Sequence, residues 1–583
     1  MRDPEVVELE IRHLETQLAR AALGELDAEL FKKLRLQYGI YSLRPASPRL
    51  RSGLSEARSA EEGRRPTQHM VRVRVPLGEI NPAQLDAVAE VCEQFTPARS
   101  CHLTSRQDIQ LYGIDRPRLP ALLRRLAASG LTTREASGNV VRNITCCPWT
   151  GVAPDEAFDV TPYAQAVSRF FLRNPVGQLL PRKVKIAFEG CRTDHARVLI
   201  HDIGVAAVPS GDEPGFRIFL GGGLGPSPQA AQLLEPWTSV EWLLPTIEAV
   251  LRVFDRLGER RLRARARLKF LIETIGWNDF RQRVLEERAA VWATQSGYAL
   301  GAFAQPVEQP PVPEKFLVAA PRDEETFSRW RTTNVSAQKQ EGFVSVLIRV
   351  PFGDVTADQL REVSRIATRY AQGVRSTNTQ NLLLRFVPRT ALVRLHNELS
   401  RVHLALPSAG RLADITRCPG ADSCLSAITH PRGLARALDA LMRDGLSAFA
   451  DWPLSIKISG CPNSCGHHHV ADIGCFGMAM KVGERHLPCY QLLVGGGTSS
   501  GSARFGRRLI RVPSCRAPDA IARSMWREVC APMSTPSSRP VSTASCVGWS
   551  SIGLRPALTT ISSRSAGRGA CSCHARASSA SIS

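Results

Sequence analysis

The sequence predicts a mixed fold of strands and helices that is built twice along the chain. From Val71 onward, a strand of alternating apolar residues, a helical stretch and a second extended stretch follow one another. The same order returns from Val344, at an offset of roughly 270 residues, which is far longer than the repeat of a solenoid. Proline-rich residues 306–313 separate the two copies and predict a stiff, extended linker.

The N-terminal segment precedes both copies. Residues 5–41 alternate acidic, basic and apolar side chains at helical spacing and end at Tyr41, so we predict a helical arm that wraps around or docks onto the rest of the chain. Residues 43–67 are rich in Arg, Ser, Pro and Gly, which predicts an exposed loop.

The strands and helices of the two copies correspond closely. In the first copy, we predict one continuous strand over residues 102–112 after the first strand and helix. The same residues then recur at matching positions of both copies. The pairs, with the first-copy residue given first, are Pro76 and Pro351, Thr104 and Thr377, Cys147 and Cys418, Gly190 and Gly460, Cys191 and Cys461, Asp202 and Asp472, and Gly221 and Gly495. The chain is therefore a tandem duplication.

These patterns divide the chain into seven segments. We predict an N-terminal arm and loop (1–67), a first half (68–135), a first lobe (136–305), a linker (306–335), a second half (336–405), a second lobe (406–523) and a disordered tail (524–583). The tail holds sixteen serines and no Asp or Lys, a composition that cannot bury much apolar surface.

Composition and charge exclude several classes of protein. No stretch has the apolar length of a membrane span, and residues 1–8 carry mixed charge without the apolar core of a signal peptide, so we expect a cytoplasmic protein with reduced thiols. The net charge is +21, but the basic residues are dispersed and accompany no nucleic-acid-binding motif. Eleven of the arginines lie in residues 507–583, against only Asp519 and Glu528. The rest of the excess suits anionic ligands and an acidic protein partner. We expect a monomer.

Four cysteines form two closely spaced pairs, Cys418 with Cys424 and Cys461 with Cys465. The spacings C-x5-C and C-x3-C fit neither structural zinc sites nor ferredoxin-type runs. Pro follows the first cysteine of each pair and glycines flank the second pair, which suits rigid turns whose N–H groups approach sulfur. A 4Fe–4S cluster is the preferred occupant, and buried or disulfide-bonded cysteines are the alternative.

The duplication indicates which copy keeps this cluster. The first-copy positions of Cys424 and Cys465 fall near Ala153 and His195, so each pair has lost one thiol there. Only the second copy is expected to bind a cluster. We interpret the first-copy cysteines as packed thiols: Cys146, Cys147 and Cys191.

The paired cysteines, together with Gly-Cys-Pro-Asn-Ser-Cys-Gly at residues 460–466, resemble the cluster motif of the sirohaem-containing sulfite and nitrite reductases. The resemblance implies an α+β fold with two ferredoxin-like halves about a pseudo-twofold axis and two further α/β lobes that hold the cofactors. It implies that Cys418, Cys424, Cys461 and Cys465 hold the cluster, and that Cys465 also bridges to the sirohaem iron. One departure is His102, where the family usually carries arginine.

Further site residues follow from the same resemblance. Thr104, Arg106 and Gln110 alternate along the predicted strand 102–112 and would share one face toward the macrocycle, with Asn143 as a further cofactor-binding residue. Four cations match the family's anion-binding positions: Arg72, Arg142, Lys183 and Lys185. The two lysines alternate on an extended segment, where their ammonium groups would repel each other unless an anion lay between them.

These residues predict an assimilatory sulfite reductase that uses six electrons to make sulfide, with an acidic ferredoxin as donor. The alternative is a nitrite reductase of the same fold, in which Lys-x-Asn tends to replace Lys183-Val-Lys185. The paired cations favour the dianionic sulfite. More distant alternatives are an iron–sulfur electron carrier or redox sensor without sirohaem, and a basic nucleic-acid-binding protein.

Overall fold

Two five-stranded antiparallel sheets, one for each copy of the repeat, form the centre of the fold. The computed structural model describes residues 4–43, 68–294, 316–317 and 319–525. In spatial order, the first sheet contains β1 (Ile40–Ser42), β2 (Gln68–Val73), β5 (Ile109–Asp115), β4 (Ser100–Leu103) and β13 (Asp354–Thr356). The second contains β11 (Val335–Ala337), β12 (Phe343–Ile348), β15 (Leu382–Pro388), β14 (Val374–Ser376) and β3 (Glu79–Ile80).

The two sheets exchange an edge strand. Strand β13 comes from the second copy but pairs with β4 of the first, and β3 of the first copy pairs with β14 of the second. Each sheet is thus completed by the other copy. Because an unpaired strand edge exposes backbone donors and acceptors, this exchange ties the two halves together by main-chain hydrogen bonds.

Equivalent helices follow the exchanged strands and pack against each other. Both begin with a capping box, formed by Asn81 and Gln84 in one helix and by Thr356 and Gln359 in the other. Their buried faces join one apolar core that spans both sheets. The helices of this region are α1 (Pro4–Leu23), α2 (Ala28–Gln37), α3 (Pro82–Phe95), α4 (Leu119–Ala128), α9 (Glu324–Asn334), α10 (Ala357–Tyr370) and α11 (Leu392–Arg401).

Each lobe is built on a mixed sheet in which three parallel strands continue into two antiparallel ones. The first lobe contains β6 (Thr145–Cys146), β7 (Ile186–Glu189), β8 (Ile203–Ala207), β9 (Gly215–Leu220) and β10 (Gln232–Ser239), with α5 (Thr161–Phe171), α6 (Leu243–Leu257), α7 (Leu268–Ile275) and α8 (Trp277–Thr294). The second contains β16 (Thr416–Arg417), β17 (Ile456–Ser459), β18 (Ile473–Val482), β19 (Arg485–Val494) and β22 (Arg507–Pro513), with α12 (Pro431–Asp444), α13 (Ala517–Met525) and a hairpin of β20 (Gly497–Ser499) and β21 (Ser502–Arg504).

One predicted strand was wrong. Residues 102–112 form the end of β4, a tight turn and the start of β5, so the chain reverses within the segment. In the turn, the Thr104 N–H donates to the Asp108 carbonyl oxygen and the Gln107 N–H donates to the Thr104 carbonyl oxygen, both at 2.9 Å. Gln107 adopts a positive φ of 60°. Local polar bonding here overrides the extended conformation that the alternating pattern suggested.

Two helices cross or lie within segment boundaries that the sequence predicted differently. Helix α9 lies inside the predicted linker 306–335, where Asp323 caps it by accepting from two backbone N–H groups. Helix α13 extends two residues beyond the predicted domain end at 523. Most of the tail 524–583, most of the loop 43–67 and residues 306–313 lie outside the described residues. In the part of the chain that the structure describes, no helix is long and apolar enough to cross a membrane.

Candidate active site

The four cysteines predicted as cluster ligands lie on two loops of the second lobe. Cys418 directly follows β16, and Cys461 lies just beyond β17, its parallel neighbour. Because the carboxyl ends of adjacent parallel strands lie at one edge of a sheet, the two loops meet. The backbone N–H of Gly460 donates to the Cys418 Sγ at 3.1 Å.

The four cysteines of these loops influence one another electrostatically. Burial, followed by the neighbouring Cys465, raises the pKa of Cys418 well above its usual value and that of Cys461 to about 11. Cys461 is also influenced by Cys424. Four thiolates this close would repel one another unless cationic iron lay between them. Gly466 permits the tight loop, since a Cβ there would lie 2.4 Å from the Ile458 carbonyl oxygen.

The hairpin turn of the first half reaches this loop. The hydroxyl of Ser105 donates to the Cys465 carbonyl oxygen at 2.7 Å. Within the turn, the Thr104 hydroxyl accepts from the backbone N–H groups of Arg106 and Asp108. Gln110 lies on β5 instead and accepts a 2.6 Å hydrogen bond from Tyr112. Thr104, Arg106 and Gln110 therefore do not share one face of a single strand, as the sequence had suggested.

Arg72 is held toward the turn by Asp108, a carboxylate that no sequence pattern predicted. Its Nε donates to Asp108 Oδ2 at 2.6 Å, and its Nη2 lies 3.4 Å from the Thr104 hydroxyl. Burial lowers the pKa of Arg72, but Asp108 and Tyr41 together with Cys465 outweigh this effect and the net shift is upward. The guanidinium is thus fixed in place and fully charged.

Arg106 and Asn143 lie buried beside each other. Arg106 Nη2 donates to the Asn143 carbonyl oxygen, and the Asn143 side-chain amide donates to Arg106 O at 3.2 Å and to Val75 O at 2.7 Å. Burial lowers the pKa of Arg106 to about 9. Among the described residues, Arg106 Nε and Nη1 and Asn143 Oδ1 have no hydrogen-bond partner. Such unsatisfied buried groups are costly, which favours a polar ligand here.

Arg142 connects the site to the N-terminal segment. Its guanidinium donates to the carbonyl oxygens of Gly138 and Ala136. Burial lowers its pKa, and the Tyr41 hydroxyl partly opposes that effect. Tyr41 on β1 also acts electrostatically on Arg72. The sequence predicts that this segment docks onto the chain, but no pattern in it predicts Tyr41 as a residue of the site.

Lys183 and Lys185 lie on the extended segment that leads into β7, on either side of Val184, which bridges to Val141. Burial, with Arg142 and Arg267, lowers the pKa of Lys183 to about 7. Burial, with Arg106 and Lys183, lowers the pKa of Lys185 well below its usual value. These shifts mean that the cations crowd one another, as expected of a site that receives an anion.

Asp202 fixes the backbone of this lysine segment. Its Oδ2 accepts from the Lys185 N–H at 2.9 Å, while Arg267 forms a bidentate ion pair with the same carboxylate. In the second lobe, Asp472 accepts from Ser455 N–H at the same distance of 2.9 Å. The Asp-Ile-Gly that recurs in both copies was a sequence signal that could have identified Asp202. No comparable sequence signal marked Arg267.

Three of the four predicted cations are influenced by the cluster loop. The Cys465 thiol acts electrostatically on Arg72, Lys183 and Lys185, although these residues come from a different half or lobe. His102 instead turns toward the interface between the halves, where its ring nitrogens lie 2.9 Å from Asp354 and 3.0 Å from Gln380.

The residues fit the two groups that the resemblance implies. Four converging thiols suit a 4Fe–4S cluster. A carboxylate-fringed macrocycle beside Cys465 would meet the cations and the unsatisfied polar atoms of Arg106 and Asn143.

Comparison with known proteins agrees. Residues 137–291 and 408–514 match the family described as nitrite and sulphite reductase 4Fe-4S domain, and residues 62–129 and 336–402 match the nitrite/sulfite reductase ferredoxin-like half domain. Together these matches cover more than half of the chain.

Similar proteins cover most of the chain. A ferredoxin–nitrite reductase of Synechococcus elongatus is 29% identical over 78% of this chain and 85% of its own length. The chloroplastic ferredoxin–nitrite reductase of Zea mays is 29% identical over 83% of this chain and 80% of its own. The structure of the Mycobacterium tuberculosis NirA protein superposes with a TM-score of 0.72 at 27% identity, covering 86% of this chain and 88% of that one.

The repeated half-domain match and this superposition confirm the predicted α+β fold with duplicated ferredoxin-like halves. Because both the cluster domain and the half domain are matched twice, in the order of the duplication, the chain belongs to the nitrite and sulphite reductase family and is an oxidoreductase that carries sirohaem and a 4Fe–4S cluster.

Proposed function

We propose that this protein is a ferredoxin-dependent nitrite reductase that reduces nitrite to ammonia with six electrons. The observation that supports nitrite as the substrate is the name shared by similar proteins from distant organisms. Those of Synechococcus elongatus, Zea mays and Haloferax mediterranei are all named as ferredoxin-dependent nitrite reductases. Our preference for sulfite, drawn from the two lysines, finds no such support, and the nitrite alternative takes its place.

Sulfite is the second candidate substrate because the site contains two lysines. The Cys465 thiol acts electrostatically on both Lys183 and Lys185, and two cations can offset the two charges of sulfite. Nitrite carries only one charge. A site with this much positive charge supports turnover of both anions, with nitrite preferred.

When bound, sirohaem supplies an iron that accepts the nitrogen lone pair of nitrite, and the cluster supplies electrons one at a time. The side chains of the site stabilise the developing charge and supply protons. Arg72, fixed by Asp108 at 2.6 Å, and the two lysines draw charge from the nitrite oxygens as the N–O bonds break. Lys183, with its pKa lowered to about 7 chiefly by burial, can give up a proton near neutral pH.

Arg142 is assigned a different role. Since its guanidinium nitrogens already donate to the carbonyl oxygens of Gly138 and Ala136, it contributes positive potential and holds Tyr41 at the site. Arg106 and Asn143 would use their unsatisfied atoms to hold the macrocycle, and the cysteines of the second lobe would hold the cluster.

The test is a comparison of substrates with the purified holoprotein and reduced ferredoxin. We expect a higher kcat/KM for nitrite than for sulfite, with ammonium formed in proportion to electrons consumed. A higher kcat/KM for sulfite would reverse the substrate assignment. Turnover with NADPH alone would contradict the ferredoxin assignment.

A further inference from the structure

The first lobe contains a second group of metal-ligand side chains, at the place where the duplication puts the counterpart of the cluster. Cys147, Glu189, Cys191 and His195 each present one ligand atom, and all four atoms lie within 4.8 Å of one another. Both cysteines and Glu189 are buried. This group is separate from the four cysteines of the second lobe.

The positions are those of the cluster ligands. Cys147 corresponds to Cys418 and Cys191 to Cys461, while His195 stands where the second copy has Cys465. Ala153, at the position of Cys424, packs against both cysteines and supplies no ligand. Three of the four ligand positions thus keep a metal-binding side chain, and the thiol count is too low for a 4Fe–4S cluster.

Two of the donor–donor distances are close to those expected around a single tetrahedral ion. The Cys147 Sγ lies 3.6 Å from the Cys191 Sγ and 3.4 Å from His195 Nδ1. Around a tetrahedral zinc ion, two sulfur ligands lie about 3.8 Å apart and a sulfur and a nitrogen about 3.6 Å apart, from Zn–S and Zn–N bonds of about 2.3 and 2.05 Å. A disulfide would need about 2.0 Å between the sulfur atoms.

The surrounding structure holds these side chains in place. Cys147 N–H donates to the Phe188 carbonyl oxygen at 2.9 Å. The Glu189 carboxylate accepts from the backbone N–H groups of Cys191 at 2.9 Å and Ala196 at 2.7 Å, which leaves lone pairs on its oxygens. The His195 ring packs against Trp149 with centroids 4.8 Å apart and the ring planes tilted by 37°.

The local charge favours a cation. Asp155, Glu156 and Glu189 all act electrostatically on Cys191, and of these Glu156 is already paired with Lys339 at 3.2 Å. An ion at this point would still lie in the field of Asp155, Glu189 and the two thiols. Thiolate and imidazole ligands select zinc over magnesium, calcium or manganese.

We propose that Cys147, Cys191, His195 and Glu189 bind one structural zinc ion, as a mononuclear counterpart of the iron–sulfur cluster in the other copy. The ion would fix the loop that carries Arg197. Arg197 Nη1 lies 3.0 Å from His467 Nδ1, two residues beyond Cys465, so the loop contacts the cluster-bearing loop of the second lobe.

The first experiment uses the untagged wild-type holoprotein. We expect about one zinc per chain by elemental analysis, in addition to iron, and a zinc X-ray absorption spectrum with two sulfur and two nitrogen or oxygen neighbours. The proposal fails if no zinc is present as isolated and none is retained after reconstitution with Zn²⁺ under reducing conditions. It also fails if the zinc neighbours are nitrogen and oxygen only, or if mass mapping finds a Cys147–Cys191 disulfide.

The second experiment uses variants with a matched control. Cys147→Ser and His195→Ala should each lower zinc content at least tenfold while leaving iron content and sirohaem absorption unchanged. Cys146→Ser is the control, because this neighbouring buried cysteine does not contribute a ligand atom to the group. Full zinc retention in Cys147→Ser would overturn the proposal. If a variant does not fold, the wild-type absorption spectrum alone decides.

Discussion

Replacement of Lys185 by asparagine should separate the two candidate substrates. The backbone N–H of this residue donates to Asp202 at 2.9 Å, and Arg267 holds that carboxylate, so the segment should keep its position when the side chain changes. What changes is the loss of the Lys185 amino group, whose pKa burial lowers and which a bound anion would favour in its charged form.

The magnitude follows from the lost interaction. A hydrogen bond to a charged group contributes about 1.5–3 kcal/mol, which corresponds to a fall of roughly 10- to 150-fold in kcat/KM. Sulfite carries twice the charge of nitrite and should lose more. We expect kcat/KM for sulfite to fall toward the upper end of this range and that for nitrite toward the lower end, so their ratio shifts about tenfold toward nitrite.

The assay is steady-state turnover of both anions with the same reduced ferredoxin, combined with sirohaem absorption to confirm that cofactor content is equal. Lys185→Arg is the matched control, since it keeps the charge and should preserve the ratio better than the asparagine variant. Equal losses for the two substrates in Lys185→Asn, or an unchanged ratio, would refute the reasoning that charge at this position discriminates between them.

Four further predictions test other parts of the molecule. Cys465→Ser should alter both the iron content and the sirohaem spectrum, whereas Cys191→Ser should alter neither; identical spectra for Cys465→Ser and wild type would contradict the ligand assignment. Turnover with ferredoxin should slow steeply from low to high ionic strength, because salt screens attraction between a basic enzyme and an acidic donor over about 10 Å at 0.1 M; a salt-independent rate would count against it. Deletion of residues 526–583 should leave sirohaem content unchanged, and a large loss would mean that this segment supports the fold. Burial lowers the pKa of His469 to about 4, so its contribution to stability is present above pH 6.5 and is lost as pH falls toward 4. Between pH 7 and 5.5 the wild type should lose about 1 kcal/mol more stability than His469→Gln, whose side-chain amide is a donor for the Gly225 carbonyl oxygen that His469 contacts at 2.9 Å. Equal shifts in the two melting temperatures would contradict this.

The sequence by itself determined the family, the duplication, the cofactors and the fold class. These features depend on local spacing and on repetition along the chain, such as the C-x5-C and C-x3-C pairs and the landmarks shared by the two copies. Such signals can be recognised in the sequence because a tight loop requires particular residue types at a few neighbouring positions.

Tertiary structure decided what depends on contacts between distant residues. The turn at residues 104–108 depends on a hydroxyl and backbone groups that override an extended pattern, and the exchange of β3 and β13 joins strands from opposite copies. The ion pair of Arg72 with Asp108 and the approach of Tyr41 to Arg142 bring together residues whose spacing carries no pattern. The same holds for Cys147, Cys191 and His195, which we first interpreted as packed thiols and a lost ligand. Their donor atoms meet only because parallel strands place two loops at one edge of the sheet.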